Sequence, residues 1–594
     1  MGFLSYENKK FSGGALEVKS IKSVYYGAEL LWPHIPVILK VDTSVSKILT
    51  IQNVNGYTIN WGDGSWEKIK TNNATHTYSE AGVYDVYIYD MLFFPLNFIN
   101  AQKNVIAVEI IPAGTKITSL GLNAFKDASG IVTFNADLSQ IQLTSIPVSS
   151  FQNCFAMNST AALKFISPVF TLVGENAFNS SGINKIAIAG SNNGFSIQKS
   201  AFQNCKNLVD VILSKVLDIG ASAFQDCSAI TVFKAEDLSA LTVINTGAFG
   251  NAFAATKLDG SNTDITLNIS NPNFTLVGLN AFIGSKVRRV LFNLNAKFDI
   301  QNGAFQSCNN LYEIALGKVK SIGANAFNGC SSIAVFYAED LSEITTIGDG
   351  AFNGAFAATK IDEITGATVN THIEFVFTSP NFTYIGLNGF RGSNIWKFKV
   401  NPDINFSTGT NAFTDCKNLV EVQVGNVVEF GSAVFQNCSA ITVFNDNDLP
   451  NLMYIRDGAF INAFAPGSNI EFKITNSNFA NVQLNSFAGS KIWKFSVPND
   501  CKFSMHNNGC FMSCTELVEM RLGEVQSIAV NSLTGCTALQ DIWIYNPTPP
   551  TLNSSITKWG TGNMYPRIHV PQASVAAYQA AAGWSAYAAN IQGF

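Results

Sequence analysis

The chain has 594 residues, a formal net charge of −5, 47% hydrophobic residues and 13% charged residues. This length exceeds one ordinary hydrophobic core, so the chain must form several domains or a repeat array. The slight acidic excess excludes a basic nucleic-acid footprint and a polybasic membrane patch, and the 46 phenylalanines indicate a packed interior rather than disorder.

Residues 1–35 form the first predicted segment. Apolar residues alternate around a Tyr-Gly step within 21–33, which predicts a small hairpin. The stretch Ile-x-x-Val-Tyr-x-Gly, which ends in Trp32-Pro33, resembles short leaders of tailed-phage structural proteins. That resemblance implies an attachment segment that contacts other virion proteins, and the alternative is a β-rich leader that packs on the next domain. The N-terminus lacks the basic start and apolar run of a secretory signal peptide.

Residues 36–92 are predicted to form a small β-sandwich. The motif Trp-Gly-Asp-Gly at 61–64 and the stretch at 76–86 resemble the PKD family of immunoglobulin-like domains, which implies spacing or adhesion rather than catalysis. Asp63 and His76 are the one pair here that suggests a metal or an acid/base site. We favour a turn aspartate and a loop histidine, because no third ligand or nucleophile lies nearby in the sequence.

A repeat array begins near residue 105, and each of its rungs carries one anchor residue. The spacings from Phe178 are 24, 22, 25 and 33 residues, and a similar series starts again at Phe282 and at Phe390. A block of four rungs is therefore repeated, which points to duplication of a longer unit. The seventeen anchors are Phe125, Phe151, Phe178, Phe202, Phe224, Phe249, Phe282, Phe305, Phe327, Phe352, Phe390, Phe413, Phe435, Phe460, Phe487, Phe511 and Leu533.

The rung motif, Ala-Phe-x-x-Cys-x-x-Leu-x-x-Val-x-Leu, resembles the BspA-like class of bacterial leucine-rich repeats over residues 105–545. The resemblance implies one short strand per rung, parallel stacking of the rungs, and an anchor phenylalanine that fills the core. The predicted fold is therefore mainly β: a leucine-rich-repeat solenoid of about seventeen rungs, preceded by a small β-sandwich and closed by a C-terminal cap that contains a helix.

The cysteines follow the same repeat. Nine of the eleven lie three residues after an anchor, namely Cys154, Cys205, Cys227, Cys308, Cys330, Cys416, Cys438, Cys514 and Cys536. Free cysteine behaves as a small buried hydrophobe, so this spacing predicts a reduced structural row rather than disulfides. There is no Cys-x-x-Cys arrangement for zinc. Cys501 and Cys510 lie outside the rule, and we assign them no role.

One outward strand position alternates between a cation and an acid on successive rungs. We predict four ion pairs from this alternation, one per block: Lys185 with Asp210, Arg289 with Glu313, Lys397 with Glu421, and Lys494 with Glu519. An exposed pair contributes only about 0–1 kcal/mol. The expected role of these pairs is therefore to fix the register between similar rungs.

The position just before each cation differs among the blocks: Asn184, Arg288, Trp396 and Trp493. A tryptophan beside a lysine on an exposed strand face suits a glycan or protein ligand, because aromatic rings stack on sugars and dominate interface energetics. The alternative is that these tryptophans cover a neighbouring loop. The candidate ligand-binding residues are Trp396, Lys397, Trp493, Lys494 and Arg288.

Residues 546–594 are predicted to form the cap. Prolines at 547–550 end the last strand, and an Ala-rich stretch from Pro571 to Ile591 indicates a helix interrupted at Gly583. Similar tails end many BspA-like proteins. An amphipathic cap of this kind covers the open end of a solenoid, so Trp584 and Tyr587 are expected in the core.

The sequence favours binding over catalysis. It has five histidines and no nucleophile or phosphate-loop motif, so we predict no catalytic residue, cofactor or metal. The favoured hypothesis is a phage virion fibre or decoration that presents the array to a bacterial surface glycan or protein. The alternatives are a bacterial surface or secreted adhesin that binds host matrix or other cells, and a passive structural fibre. Homo-oligomerisation is possible, whereas nucleic-acid binding and membrane insertion are not expected.

Overall fold

The computed structural model describes most of the chain. It covers residues 2–5, 23–26, 29–30, 37–89, 104–110, 119–136, 143–157, 159–257, 260–261, 263–338, 340–361, 367–424, 426–444, 449–505, 508–529, 531–552 and 565–594. Two compact units divide the chain. Unit 1 comprises Met1–Asn271 with Ser285–Val287, and unit 2 comprises Pro272–Gly284 with Arg288–Phe594.

Three short antiparallel strands lie at the N-terminus of unit 1. Ser23–Tyr26 pairs with Glu29–Leu30, as the sequence predicts for a hairpin, and Gly2–Ser5 pairs with the other side of Ser23–Tyr26. The third strand was not expected from the sequence. The Trp32-Pro33 end of the leader lies outside the described residues.

Two antiparallel arrangements follow in unit 1. A sheet contains Val37–Asp42, Thr58–Asn60, Trp66–Lys68 and Val83–Tyr89, and a separate pair is formed by Ile48–Gln52 and Asn73–Thr77. The sheet also contains Val105–Ile110, antiparallel to Val37–Asp42 and parallel to Thr133–Ala136. The strand that opens the predicted array is therefore also a strand of the sheet before it.

Trp61 and Tyr78 form the centre of this N-terminal core. Both side chains are buried, and the Tyr78 hydroxyl donates a hydrogen bond to the Trp61 carbonyl at 3.0 Å. Gly62 has φ +83°, and a Cβ there would lie 2.5 Å from the Asp85 carbonyl oxygen. Only glycine fits this close approach of two backbone segments. The domain's membership of the PKD family stays a prediction.

Each turn of the repeat region contributes two strands, so the expectation of one strand per rung was wrong. We call the ladder formed by the strands after the anchors ladder A, and the ladder formed by the short strands before the anchors ladder B. Many ladder B strands have only two residues, too few to show alternation in the sequence. Together the described turns number about 19, more than the seventeen predicted rungs, because strands without an anchor extend the array.

The strands of unit 1 have the following bounds. Ladder A contains Ala162–Ile166, Lys185–Ala189, Asp210–Ile219 and Val232–Asp237. Ladder B contains Ser145–Ile146, Leu172–Val173, Phe195–Ile197, the second half of Asp210–Ile219, and Val243–Ile244. The strand Thr266–Ile269 follows in the sequence of this unit.

In unit 2, ladder A is interrupted at the ends of the four-rung blocks. Its three groups of strands are Arg289–Phe292, Glu313–Ala315 and Val335–Tyr337; then Ile373–Phe377, Ile395–Val400, Glu421–Gln423 and Val443–Phe444; then Ile470–Lys473, Ile492–Ser496, Glu519–Arg521, Asp541–Trp543, Arg567–Val570 and Ile591–Gly593. A small antiparallel hairpin, Thr359–Ile361 with Thr368–Asn370, lies at the first interruption.

Ladder B of unit 2 continues through these interruptions. Its strands, in order, are Leu276–Val277, Lys297–Ile300, Lys318–Ile322, Thr346–Ile347, Tyr384–Ile385, Asn405–Thr408, Asn426–Phe430, Tyr454–Ile455, Asn481–Val482, Ser504–Met505, Ser527–Ile528 and Thr551–Leu552. Ladder B is therefore the ladder that connects successive blocks without a break.

The anchor phenylalanines form a stacked column inside each unit. Their ring centroids are 4.9 to 5.5 Å apart from Phe125 to Phe249 in unit 1, and 4.8 to 5.5 Å apart from Phe282 to Phe511 in unit 2. The anchors are fully buried. Such offset stacks stabilise the core beyond simple area burial.

The residue two positions before each anchor has a left-handed backbone, with φ between 52° and 74°. Asparagine, serine or glycine occupies this position in all turns but one, where Ala433 stands. Asparagine and glycine tolerate this conformation best, because glycine has no Cβ and the asparagine side chain hydrogen-bonds locally.

The cysteine thiols have a structural role in the same turns. All eleven cysteines are free and buried. The Sγ atoms of Cys205, Cys227, Cys308, Cys330, Cys416, Cys438, Cys514 and Cys536 each donate to the carbonyl of the anchor one turn earlier, at 2.8 to 3.0 Å. Burial raises the pKa of Cys227, Cys438 and Cys514, so these thiols stay protonated and can donate.

A second buried phenylalanine marks the last turn of each block. Phe155, Phe253, Phe356 and Phe464 have φ between 65° and 70° and follow the anchor by four residues. In three of these turns alanine replaces the cysteine before this residue. In those three turns the sequence reads Phe-x-x-Ala-Phe, yet the left-handed backbone at the second phenylalanine became visible only in the structure.

The C-terminal segment partly extends the array. Arg567–Val570 and Ile591–Gly593 add two parallel strands to ladder A, which the predicted cap did not anticipate. The α-helix is limited to Val575–Ala580, between short 3-10 helices at Gln572–Ser574 and Ser585–Asn590. Gly583 interrupts the helical stretch with φ +82°, and Trp584 and Tyr587 are buried, as expected.

Candidate functional site

Outward side chains of ladder A in unit 2 form what we call the register row. Strand pairing aligns Glu374, Lys397, Glu421 and Val443 in one group and Glu471, Lys494, Glu519, Asp541 and Arg567 in the next. Inward neighbours such as Phe398 and Phe495 are buried. Alternation along each strand therefore separates a packed face from a charged, partly exposed face.

Three of the four proposed cation–acid pairs are in contact. Arg289 Nε lies 3.1 Å from Glu313 Oε2, and Lys397 Nζ lies 2.9 Å from Glu421 Oε2. The Lys494–Glu519 pair is longer, at 3.9 Å.

Lys185 and Asp210 are register partners, but no ion pair joins them among the described residues. One carboxylate oxygen of Asp210 is buried without a hydrogen-bond partner. The acid in the other three blocks is glutamate, and the shorter aspartate side chain reaches less far across the ladder.

Glu421 contacts two lysines of the neighbouring strand. It pairs with Lys399 as well as with Lys397. Partial burial tends to raise the pKa of Glu421, but hydrogen bonds from the two lysines outweigh burial and lower it. The hydrogen bond to Glu421 in turn raises the pKa of Lys397. Both groups are therefore charged at neutral pH.

Both candidate tryptophans occupy β-bulges. Ile373 pairs with Ile395 and Glu374 with Lys397, so Trp396 is the extra residue between them. The same shift in the next block leaves Trp493 unmatched between Ile492 and Lys494. A bulge re-aims the side chain of its extra residue and is frequent beside functional sites.

Each tryptophan lies beside the lysine that follows it. Lys494 Nζ is 4.1 Å from the centroid of the Trp493 ring, and Lys397 Nζ is 5.6 Å from that of Trp396. Trp396 also contacts His372, with ring centroids 4.9 Å apart. Both indoles are half-buried, so each has contacts within the chain and a surface left for a ligand.

Arg288, at the corresponding position of an earlier block, has a different environment. Its guanidinium lies 4.3 Å from the centroid of the Tyr312 ring on the next turn. Cation–π stacking of this kind holds the guanidinium against the strand face. Arg288 thus offers charge, but not the aromatic surface that Trp396 and Trp493 provide.

The structure adds an aromatic cluster that the sequence argument did not single out. Trp543 stacks on His569 with centroids 3.9 Å apart, and Arg521 lies 5.1 Å from the Trp543 centroid. Asp541 accepts two hydrogen bonds from Arg567, at 2.7 and 2.6 Å, and contacts His569 Nε2 at 2.8 Å. Residues 539–544 read Leu-x-x-Ile-x-Ile, which follows the rung motif, and this pattern could have placed Trp543 on the outward face.

Asp63 and His76 are brought together, but in a structural setting. His76 Nε2 lies 2.7 Å from Asp63, and its ring stacks on the buried Trp61. His76 is part of the strand Asn73–Thr77, not of a loop as predicted. Partial burial tends to raise the pKa of Asp63, but hydrogen bonds from Ser65 and His76 lower it to about 2.

Neither a metal cluster nor a membrane-spanning helix emerges from the part of the chain that the structure describes. Within it, no group of three or more histidine, cysteine, aspartate or glutamate side chains is placed to hold a metal ion. No helix in the same residues is long and apolar enough to cross a bilayer.

Two parallel ladders, a stacked phenylalanine column and a row of thiols bonded to carbonyls define a leucine-rich-repeat protein. The chain belongs to the family described as the BspA type leucine rich repeat region, which matches residues 118–256, 260–359, 367–465 and 449–552 in 6 copies. No curated protein matches the chain.

Several solved structures are similar to it. A leucine-rich repeat protein from Bacteroides ovatus is 18% identical over 59% of this chain and 82% of its own, with a TM-score of 0.37. One from Eubacterium ventriosum is 18% identical over 67% and 83%, with a TM-score of 0.27. A leucine rich cell surface protein from Faecalibacterium prausnitzii is 13% identical over 77% and 83%, with a TM-score of 0.22.

Proposed function

We propose that this chain is a non-catalytic binding or adhesion protein of a bacterial cell surface or of the extracellular space. In this proposal, ladder A of unit 2 faces a ligand on host matrix or on another cell. Membership of the BspA type family supports a surface repeat protein. The function was the second hypothesis from the sequence, and it fits the family better than the first.

The placement of Trp396 and Trp493 carries the proposal. Both are half-buried indoles on a strand face whose other outward residues are largely charged. Truncation of a central tryptophan in an interface typically costs 2 kcal/mol or more, about 30-fold in affinity. Because Trp396 contacts His372, part of its indole is covered within the chain, and the rest is open to a ligand.

The virion hypothesis keeps the status of a prediction. It depended on the leader, and most of residues 1–35 lie outside the described part of the chain. The family match begins at residue 118 and says nothing about that segment. Contacts with virion proteins, homo-oligomerisation and a passive fibre also remain predictions.

Surface location and ligand binding can be tested together. Antibody labelling of intact bacteria is expected to detect the chain, whereas detection only in purified phage particles would favour the virion hypothesis. The purified chain is then tested for adhesion to immobilised host matrix and to cells. Trp396→Ala and Trp493→Ala are expected to weaken adhesion by about 10-fold or more.

Tyr384→Ala is the matched control. Tyr384 is an aromatic residue of ladder B, and it is 41% exposed, so its removal alters another face of the same unit. Adhesion that is unchanged in both tryptophan variants, or equally reduced in Tyr384→Ala, would refute the role of ladder A.

A further inference from the structure

We propose that Trp396 and Trp493 are two copies of one subsite and that both bind the same linear, uncharged polysaccharide chain. This inference rests on the proposed function of ladder A as a binding face, and it adds the class of ligand and the mode of binding.

The two subsites share four features. Each tryptophan is the extra residue of a bulge, and each precedes a lysine whose ammonium lies beside the indole. Each lysine contacts a glutamate on the next turn, Glu421 or Glu519. Each lysine is also aligned with a glutamate on the preceding strand, Glu374 or Glu471.

Duplication of the four-rung block does not by itself account for the two tryptophans. The cation and the acid recur in all four blocks, whereas the corresponding earlier positions hold Asn184 and Arg288. The aromatic residue is therefore confined to two neighbouring blocks. It is the feature that distinguishes the two subsites from the rest of the array.

Ladder B fixes the distance between the subsites. The turn of Trp396 includes the strand Asn405–Thr408, the turn of Trp493 includes Ser504–Met505, and four strand-to-strand steps separate these two strands. At about 4.8 Å per step, ladder B advances by about 19 Å from the turn of Trp396 to the turn of Trp493. A disaccharide is too short to contact both, whereas a polymer can do so.

The chemistry of each subsite suits a pyranose. The indole offers an apolar surface for the C–H face of the sugar, while the ammonium donates to hydroxyl groups and the carboxylates accept from them. Two cations stand beside two glutamates in each subsite, Lys397 and Lys399 in one and Lys494 and Arg521 in the other, so the charges balance and neither subsite selects an anionic ligand. A linear polysaccharide presents the same chemical unit at regular intervals, which a folded protein surface does not.

Simultaneous binding at two subsites predicts a strong length dependence. Once one subsite is occupied, the second encounters its sugar at a high effective concentration, which strengthens overall binding by about 10² to 10⁴-fold without any new contact. The affinity for a polymer is therefore expected to exceed the affinity for its disaccharide by at least about 10²-fold.

The test uses the full chain immobilised on a sensor, with xylan, mannan, dextran and mixed-linkage β-glucan as probes, each beside its own disaccharide. We expect at least one polymer to bind about 10²-fold more tightly than its disaccharide. Trp396→Ala or Trp493→Ala alone is expected to reduce polymer affinity to the disaccharide level. The double variant is expected to abolish binding, while Trp396→Phe and Tyr384→Ala retain it.

Each other outcome has a defined meaning. Equal affinity for polymer and disaccharide, or unchanged polymer affinity in either single variant, would refute the two-subsite arrangement. If no polysaccharide binds but adhesion to cells still depends on both tryptophans, the ligand is a protein and only the further inference fails. If adhesion is independent of both tryptophans, the proposed function of ladder A fails as well.

Discussion

Ala433 has an unfavourable backbone conformation that a single substitution can relieve. Its φ is 53°, in the left-handed region, and every other described residue two positions before an anchor is asparagine, serine or glycine. An L-residue with a Cβ pays roughly 1–2 kcal/mol for this conformation unless its side chain compensates locally. Ala433→Asn is therefore expected to stabilise the protein.

The structure sets the size of the expected gain. Asn411 has φ 57° at the equivalent position one turn earlier, where its side chain accepts a hydrogen bond from the Thr414 hydroxyl at 3.3 Å. Ala433 is half-buried and lies at the surface of its turn. Asparagine should recover only part of the penalty, so we expect an increase of about 0.5–1 kcal/mol in the free energy of unfolding.

Hydrogen exchange measured by mass spectrometry is the suitable assay, since it reports stability locally in a repeat array. Slower exchange is expected in the strand Asn426–Phe430 of Ala433→Asn. The converse change, Asn411→Ala at the same position one turn earlier, is expected to accelerate exchange near that residue. Faster exchange in Ala433→Asn, or no effect of Asn411→Ala, would refute the argument from backbone conformation.

Three further outcomes are expected. Phe202→Ala removes a ring stacked 5.0 Å from both Phe178 and Phe224 and should cost about 3–5 kcal/mol, against less than about 1.5 kcal/mol for Phe202→Leu, by urea unfolding. Native alkylation at pH 8 should leave the buried thiols unmodified by intact mass, including Cys501, whose pKa is raised by burial to about 11. Rapid native labelling would contradict the buried thiol row. The pKa of Asp63 is about 2, below its ordinary 3.8, so its ionised form stabilises the fold above pH 3.8, and that contribution disappears as pH falls toward 2. The difference in Tm between the natural chain and Asp63→Asn should accordingly shrink between pH 5 and pH 2, and a constant difference would contradict the assignment.

Much of the repeat fold was contained in the sequence. The anchors and the cysteines recur at fixed spacing, so their burial and their order follow from periodicity alone. The same periodicity aligned Lys397 with Glu421 and Lys494 with Glu519, because equivalent positions of parallel turns lie side by side. Local motifs that repeat many times specify such an array strongly.

Other features depended on contacts between turns. Strands of two residues in ladder B leave no pattern in the sequence, and Val105–Ile110 joins the N-terminal sheet to the first repeat strand only through its partners. Whether Lys185 reaches Asp210 depended on side-chain length and local packing.

The opposing strands likewise decided that Trp396 and Trp493 occupy bulges, since a bulge is defined by a mismatch between two chains of residues rather than by one. The sequence by itself determined which residues repeat and which face the core. The tertiary structure decided where the register between strands shifts, and two of those shifts occur at Trp396 and Trp493, on the surface that we propose binds a ligand.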